Sequence, residues 1–156
     1  MVSIQWQLKP LAELSSETLY QILKLRQDVF VIEQHCSEPD IDDLDHKALH
    51  LIGHQSNKLV AYARLFAPGN YYAGYTSFGR VAVPATARGL NLGRGLVHQA
   101  LAALQSRWPE SPIKISAQYY LVDFYQSFGF KSVGEAYNEA GILHIAMLYS
   151  SPIAKG

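Results

Sequence analysis

The chain has 156 residues, about half of them apolar, which is enough for one globular domain spanning 1–156 with a sizeable core and excludes a fibrous or disordered chain. Its 13 basic and 13 acidic side chains cancel, which argues against nucleic acid as a partner, because such proteins carry a basic excess. The single cysteine, Cys36, fits a reducing compartment, no apolar run approaches the ~20 residues that span a bilayer, and the start MVSIQWQLKP lacks the pattern of a signal peptide, so a cytoplasmic protein without membrane contact is expected.

Ile4, Trp6 and Leu8 alternate with polar residues and predict a first strand, stopped at Pro10. Ser15 is placed as an N-cap, with Leu14 and Leu19 as a hydrophobic staple. Leu19, Ile22, Leu23, Arg26, Val29 and Phe30 then follow helical spacing, so Glu17 to about Glu33 is expected to be helical. Arg26 falls on the apolar face of that pattern and reads as a snorkelling or ion-paired arginine. The acid-rich loop that follows contains Asp40, Asp42, Asp43 and Asp45. A calcium loop would need an oxygen ligand and a glycine where Leu44 and Asp45 stand, so Asx-type turns on a solvated rim are expected instead.

Ala48–Gly53 and Leu59–Phe66 read as two strands joined by the polar turn HQSN, and Tyr75–Val83 as a third, ended by Pro84. His50 and His54 alternate on a strand without a third ligand at metal spacing, so no metal site is expected. Arg88–Trp108 is the clearest helix, with an apolar stripe from Leu92 to Leu104 and a stop at Pro109. A strand at Ile113–Ala117, a short helix carrying Leu121, Phe124, Tyr125 and Phe128, a stop at Gly129 and a hairpin of Phe130–Tyr137 with Ile142–Tyr149 complete the order β-α-β-β-β-α-β-α-β-β. The tail SPIAKG is expected to be loose. The order implies a mixed α/β sheet with helices on its faces.

The stretch with most chemical character is FGRVAVPATARGLNLGR, Phe78–Arg94. It reads as a strand, a proline stop and a basic, glycine-bearing loop that opens a helix. Such a loop cradles phosphate, because the first helical amides lack partners and the helix dipole favours an anion. A P-loop is excluded, since Gly89 and Gly93 are too close and no Lys-Ser/Thr follows; a dinucleotide fingerprint fails because His98 stands where its third glycine belongs.

Arg88-Gly-Leu-Asn91-Leu-Gly93 resembles the acetyl-CoA loop [RQ]-x-x-G-x-[GA] of the GNAT acyltransferases, with Asn91 for the first motif glycine. Asparagine tolerates left-handed backbone better than most residues. VAVP at Val81–Pro84 precedes the loop as in that family. Gln118-x-x-Leu121-x-x-Phe124-Tyr125-x-x-x-Gly129-Phe130 resembles its second signature, N-x-x-A-x-x-F-Y-x-x-x-G-F. With R-x-x-V-F-V-x-E-Q from Arg26 to Gln34, the DID segment at Asp40–Asp42 and the terminal GILHIAM, the whole chain resembles the ElaA-like bacterial branch of the GNAT family.

The resemblance implies a central, mostly antiparallel sheet splayed in the middle, with helices on both faces. It implies acetyl-CoA as co-substrate and direct transfer of acetyl to a primary amine, either a small molecule or a peptide. Backbone amides at Val81 and Val83 would hold the pantetheine arm and polarise the thioester. Arg88, Gly89, Asn91, Leu92, Gly93 and Arg94 would surround the pyrophosphate, Gln118 would contact the cofactor, and Tyr125 would protonate the leaving thiolate. The strand that often supplies a glutamate base carries Arg80 here, which leaves Glu33 and His144 as base candidates. Phe30 and Arg80 would face the acceptor, with Arg80 available to an acidic group on it. Cys36, in an acid-rich loop, is poorly placed to be an acyl-cysteine nucleophile. A rival expectation is a non-catalytic acyl-CoA-binding or sensor module on the same fold.

Overall fold

A computed structural model describes residues 3–149. Strand β1, Gln5–Pro10, leads to helix α1, Ser16–Arg26, whose first turn is closed by the Ser15 side chain accepting from the Thr18 amide. A serine cap of this kind contributes about 1 kcal/mol. The expected single helix to Glu33 is instead two pieces: after Arg26 the backbone widens into a π-helical stretch, Gln27–Glu33. Such wide turns alter which side chains share a face and are frequent at functional sites; here Val29, Phe30 and Glu33 all reach one cleft.

Strands β2, Leu49–Gln55, and β3, Lys58–Phe66, form the expected hairpin. Its tip residues Ser56 and Asn57 both have positive φ, at 50° and 64°, as a two-residue turn matched to strand twist requires. β4 spans Ser77–Ala82, and α2 spans Leu92–Arg107, starting later than its sequence pattern predicts because Arg88–Asn91 form the loop. β5, Ile113–Gln118, the short α3, Val122–Gln126, β6, Lys131–Glu139, and β7, Ile142–Tyr149, complete the expected order. The tail from 150 onward lies outside the described residues.

Two antiparallel sheets result, one ordered β1-β2-β3-β4 and one ordered β5-β7-β6. A parallel bridge from Thr76 to Ile113 joins them at one end. Beyond it, β4 and β5 separate. Period-two alternation gives both faces a core. Ala61, Ala63 and Leu65 of β3 pack with Leu96, Val97, Ala100 and Leu104 of α2 and with Ile115 and Met147 of the second sheet. The intervening Tyr62, with Ile52 and Ala82, packs on Ile22, Leu25 and Val29 from the α1 side.

The aspartate-rich loop is not a solvated rim. Asp42 Oδ1 does accept from the Leu44 amide as an Asx turn, and Asp43 is exposed, but the carboxylates of Asp40, Asp42 and Asp45 turn inward onto guanidiniums. Arg26, 1% exposed, donates from Nε to Asp40 and from Nη1 to Asp45, each at 2.7 Å. Arg64, 2% exposed, donates to Asp42 and Asp45. Two buried arginines on the α1 face of the sheet could not remain there unpaired, so the loop closes over them. His50 is equally internal, with Nδ1 at 2.6 Å from the Tyr62 hydroxyl and Nε2 at 2.9 Å from the Asp45 carbonyl; burial pushes its pKa down. It is a core histidine.

Candidate active site

The splay between β4 and β5 opens a cleft of about 660 Å³. It brings together ten residues expected from sequence: Phe30, Glu33, Arg80, Val81, Val83, Arg88, Gly93, Gln118, Tyr125 and His144. Gly89, Asn91, Leu92 and Arg94 belong to the adjoining loop and first turn of α2 rather than to the cleft wall.

β4 is bulged where it borders the cleft. Tyr62 pairs with Ala82, but Arg64 pairs with Gly79, so two steps along β3 face three along β4. Arg80 sits in the bulge with φ 49°. Its Nε donates to Asp40 Oδ1 at 2.7 Å, Nη2 donates to the Asp40 carbonyl at 3.0 Å, and the guanidinium lies over the Phe30 ring at 5.8 Å. The side chain expected to await an acidic acceptor is already held by an acid of the chain.

At the far end of β4, Pro84 leads through a 3₁₀ turn, Ala85–Ala87, into the loop. Gly89 has φ 85°, which favours a residue without Cβ. Asn91 has φ 59° and ψ 21°, the left-handed conformation its substitution for glycine requires, and its side chain makes no cap bond. The first loop-to-helix backbone bond is Gly95 N–H to the Asn91 carbonyl at 3.2 Å, so the amides of Leu92, Gly93 and Arg94 open α2 without intrahelical acceptors. Arg88 and Arg94 are braced. Arg88 donates to the Val83 carbonyl and makes a bidentate pair with Glu33. Arg94 donates to Ser127 Oγ at 3.1 Å and lies over the Phe128 ring at 4.6 Å.

Tyr125 lies on α3, 6% exposed, among Phe78, Phe124 and Phe130, and still lines the cleft. Burial raises its pKa well above that of a free phenol, so it stays a proton donor. Gln118, at the end of β5, pairs in register with His144 of β7. The Oε1 atom of Gln118 is buried without a hydrogen-bond partner among the described residues. His144 is 7% exposed; its Nδ1 lies 2.7 Å from the Ile142 carbonyl and its Nε2 lies 3.4 Å from Glu139. That carbonyl can only accept, so Nδ1 carries a hydrogen; in the neutral ring Nε2 is then an acceptor, and in the imidazolium Nε2–H faces Glu139.

Other cleft residues went unnoticed in the sequence: Glu38, Tyr71, Tyr120 and Glu139. Tyr71 had a signal, the three tyrosines 71, 72 and 75 gathered in one Pro-Gly loop. Glu38 lies in the acid-rich loop, Tyr120 in a 3₁₀ turn, Tyr119–Leu121, and Glu139 at the end of β6, and no sequence pattern marks them. Among the described residues no group of three or more His, Cys, Asp or Glu is arranged to hold a metal ion, and no helix is long and apolar enough to cross a membrane.

Residues 13–151 match the family model described as an acetyltransferase (GNAT) domain. The chain belongs to the GNAT family. ElaA of Escherichia coli is 42% identical over 146 residues, covering 92% of this chain and 95% of that protein. Its crystal structure superposes with a TM-score of 0.87, covering 95% of this chain and all of the other at 39% identity. The crystal structure of an acyl-CoA N-acyltransferase from Pseudomonas aeruginosa superposes at 0.89, covering 95% of this chain and all of the other at 38% identity. The expected fold, with its splayed sheet, and the likeness to ElaA are therefore established.

Proposed function

We propose that this GNAT protein is an acetyl-CoA-dependent N-acetyltransferase of the cytoplasm, transferring acetyl directly to a primary amine. The observation that carries the reading is that Tyr125 and His144, a buried phenol and an imidazole with a fixed tautomer, line the same cleft between β4 and β5.

In this reading the pantetheine arm enters the gap as an added strand beside Val81 and Val83, whose amides polarise the thioester carbonyl. The buried Oε1 of Gln118 accepts from an amide of the arm. The pyrophosphate lies on the loop Arg88–Arg94, where unpaired amides of Leu92–Arg94 and the two arginines meet it. The amine nitrogen attacks the carbonyl carbon, the tetrahedral intermediate collapses, and the C–S bond breaks. His144 Nε2 takes the proton lost by the amine, and the Tyr125 hydroxyl supplies the proton gained by the thiolate. Glu33, held by Arg88, contributes to the donor side rather than as the base. Phe30 forms part of the acceptor wall.

Acetyl-CoA offered with a panel of amines, with free thiol followed over time, tests the reading. Amine-dependent thiol release that is lost in Tyr125→Phe supports it. Tight CoA binding without release from any amine would establish a binding module instead.

A further inference from the structure

Resting on the acyltransferase reading, we infer that the acceptor is a small aliphatic amine carrying a second positive charge, a di- or polyamine, held by Glu38 and Glu139.

The charges in the cleft are uneven once pairing within the chain is counted. Its three arginines are committed: Arg64 to Asp42 and Asp45, Arg80 to Asp40, and Arg88 to Glu33. With Arg26, which also pairs with Asp40 and Asp45, they balance four carboxylates. Glu38 and Glu139 also line the cleft, and among the described residues neither has an arginine or lysine partner; Glu139 faces only His144. The uncommitted charge in the cleft is negative. Among the described residues the one buried arginine donor of the cleft without a partner is Nε of Arg64, on a guanidinium that is 2% exposed and paired with two aspartates, so an acidic acceptor would meet no accessible free cation there.

The chain segments that carry the two carboxylates meet beside the cleft. Cys36 Sγ–H donates to the Ala140 carbonyl at 3.5 Å, joining the segment just before Glu38 to the turn just after Glu139. Tyr71, tilted against Phe66 with ring centroids 5.0 Å apart, and the exposed Tyr120 add rings to the same cleft. Carboxylates interleaved with aromatic faces favour an organic cation, while the rings cover its methylenes.

Glu139 and Glu38 take different parts. Glu139 lies 3.4 Å from His144 Nε2, so it attracts the ammonium that must surrender a proton there, and it stabilises the imidazolium formed. Glu38 is left for a second cation farther along the chain of the acceptor.

A series built on one four-carbon chain tests this: 1-aminobutane, 1,4-diaminobutane and 4-aminobutanoate. Each is offered with acetyl-CoA while thiol release is followed, and each is titrated calorimetrically into the CoA-loaded protein. We expect kcat/KM for the diamine at least tenfold above the monoamine, with the amino acid poorest. Glu38→Gln, a substitution at an exposed position, should bring the diamine-to-monoamine ratio close to one. Equal rates for diamine and monoamine, or a preference for 4-aminobutanoate, would overturn the inference while acetyl transfer stands. Selective binding of diamine without thiol release would uphold the cationic site and sink the catalytic reading. Neither binding preference nor turnover would sink both.

Discussion

Arg88 and Glu33 grip each other across the mouth of the cleft, Nη1 to Oε2 at 2.8 Å and Nη2 to Oε1 at 3.0 Å. One belongs to the phosphate loop, the other to the π-helical stretch. The pair is 44% and 37% exposed, so its net stability contribution is within about 1 kcal/mol. Its effect on binding is larger, because the carboxylate competes with a pyrophosphate for the same guanidinium. Glu33→Gln should lower KM for acetyl-CoA a few-fold. A fall in kcat of a hundredfold, with KM unmoved, would instead make Glu33 the base.

His144→Gln should lower kcat by about 10²-fold, the usual effect of losing a general base. The rate that remains should climb with pH toward the amine's own ionisation, near ~10.4 for a lysine-like amine, as the free base does the work unaided. A pH–rate profile of the variant parallel to that of the wild type would remove His144 from the mechanism.

Tyr125→Phe should keep the fold, because the ring packs among Phe78, Phe124 and Phe130, and lower kcat by roughly 10²-fold. The phenol acts as an acid, and burial has raised its pKa. Its required protonated form therefore persists as pH rises, and the wild type should show no alkaline loss assignable to this group below about pH 10. Alkaline inactivation near pH 9 that disappears in the variant would contradict this.

Acid should weaken the fold through the inward-turned aspartates. Burial alone would raise the Asp42 pKa, but its hydrogen bond and charge interaction with Arg64 outweigh that and hold it at about 2. Asp45 is likewise lowered, against its own burial, by Arg26 and Arg64. A carboxylate depressed in the folded state stabilises it fully above its unfolded pKa, near ~3.9, and loses that contribution as pH falls through the folded value. The melting temperature should drop steeply between pH 4 and pH 2, less steeply in Asp42→Asn measured against its own pH 6 value.

Asn91 occupies left-handed backbone. Asn91→Gly should be nearly neutral, whereas Asn91→Ala should cost about 1 kcal/mol of stability and raise KM for acetyl-CoA, because the loop amides lose their alignment. Chemical denaturation and saturation kinetics would read the two effects separately.

What the sequence disclosed was mostly local. The Ser15 cap, a turn within HQSN, narrowed by the structure to Ser56-Asn57, and an Asn91 that tolerates left-handed backbone follow from residue type and neighbours, and the structure bears them out. Tyr125 needed motif spacing, because periodicity alone places it in the core, where it also lies. Pairings across the chain were not legible. Glu33 with Arg88 and Arg80 with Asp40 join residues 55 and 40 positions apart, and no hydrophobic period or turn signal encodes them. The same holds for the acid-rich loop, whose carboxylates look solvated until the fold brings buried arginines beneath them. The π-helical widening after Arg26 left no trace because Val29 and Phe30 keep the helical spacing of the residues before them.

Among the described residues one bridge, Thr76 to Ile113, joins the two sheets, and it divides the chain in sequence as well as in space. Every strand of one sheet comes from residues 5–82 and every strand of the other from 113–149. A break in the connection at 109–112 would leave both ladders uncut. The cleft is thus a seam between an N-terminal and a C-terminal half. A molecule bound along that seam clamps the halves together, so acetyl-CoA should act as a cross-brace that raises the melting temperature and slows exchange of the amides on both of its banks.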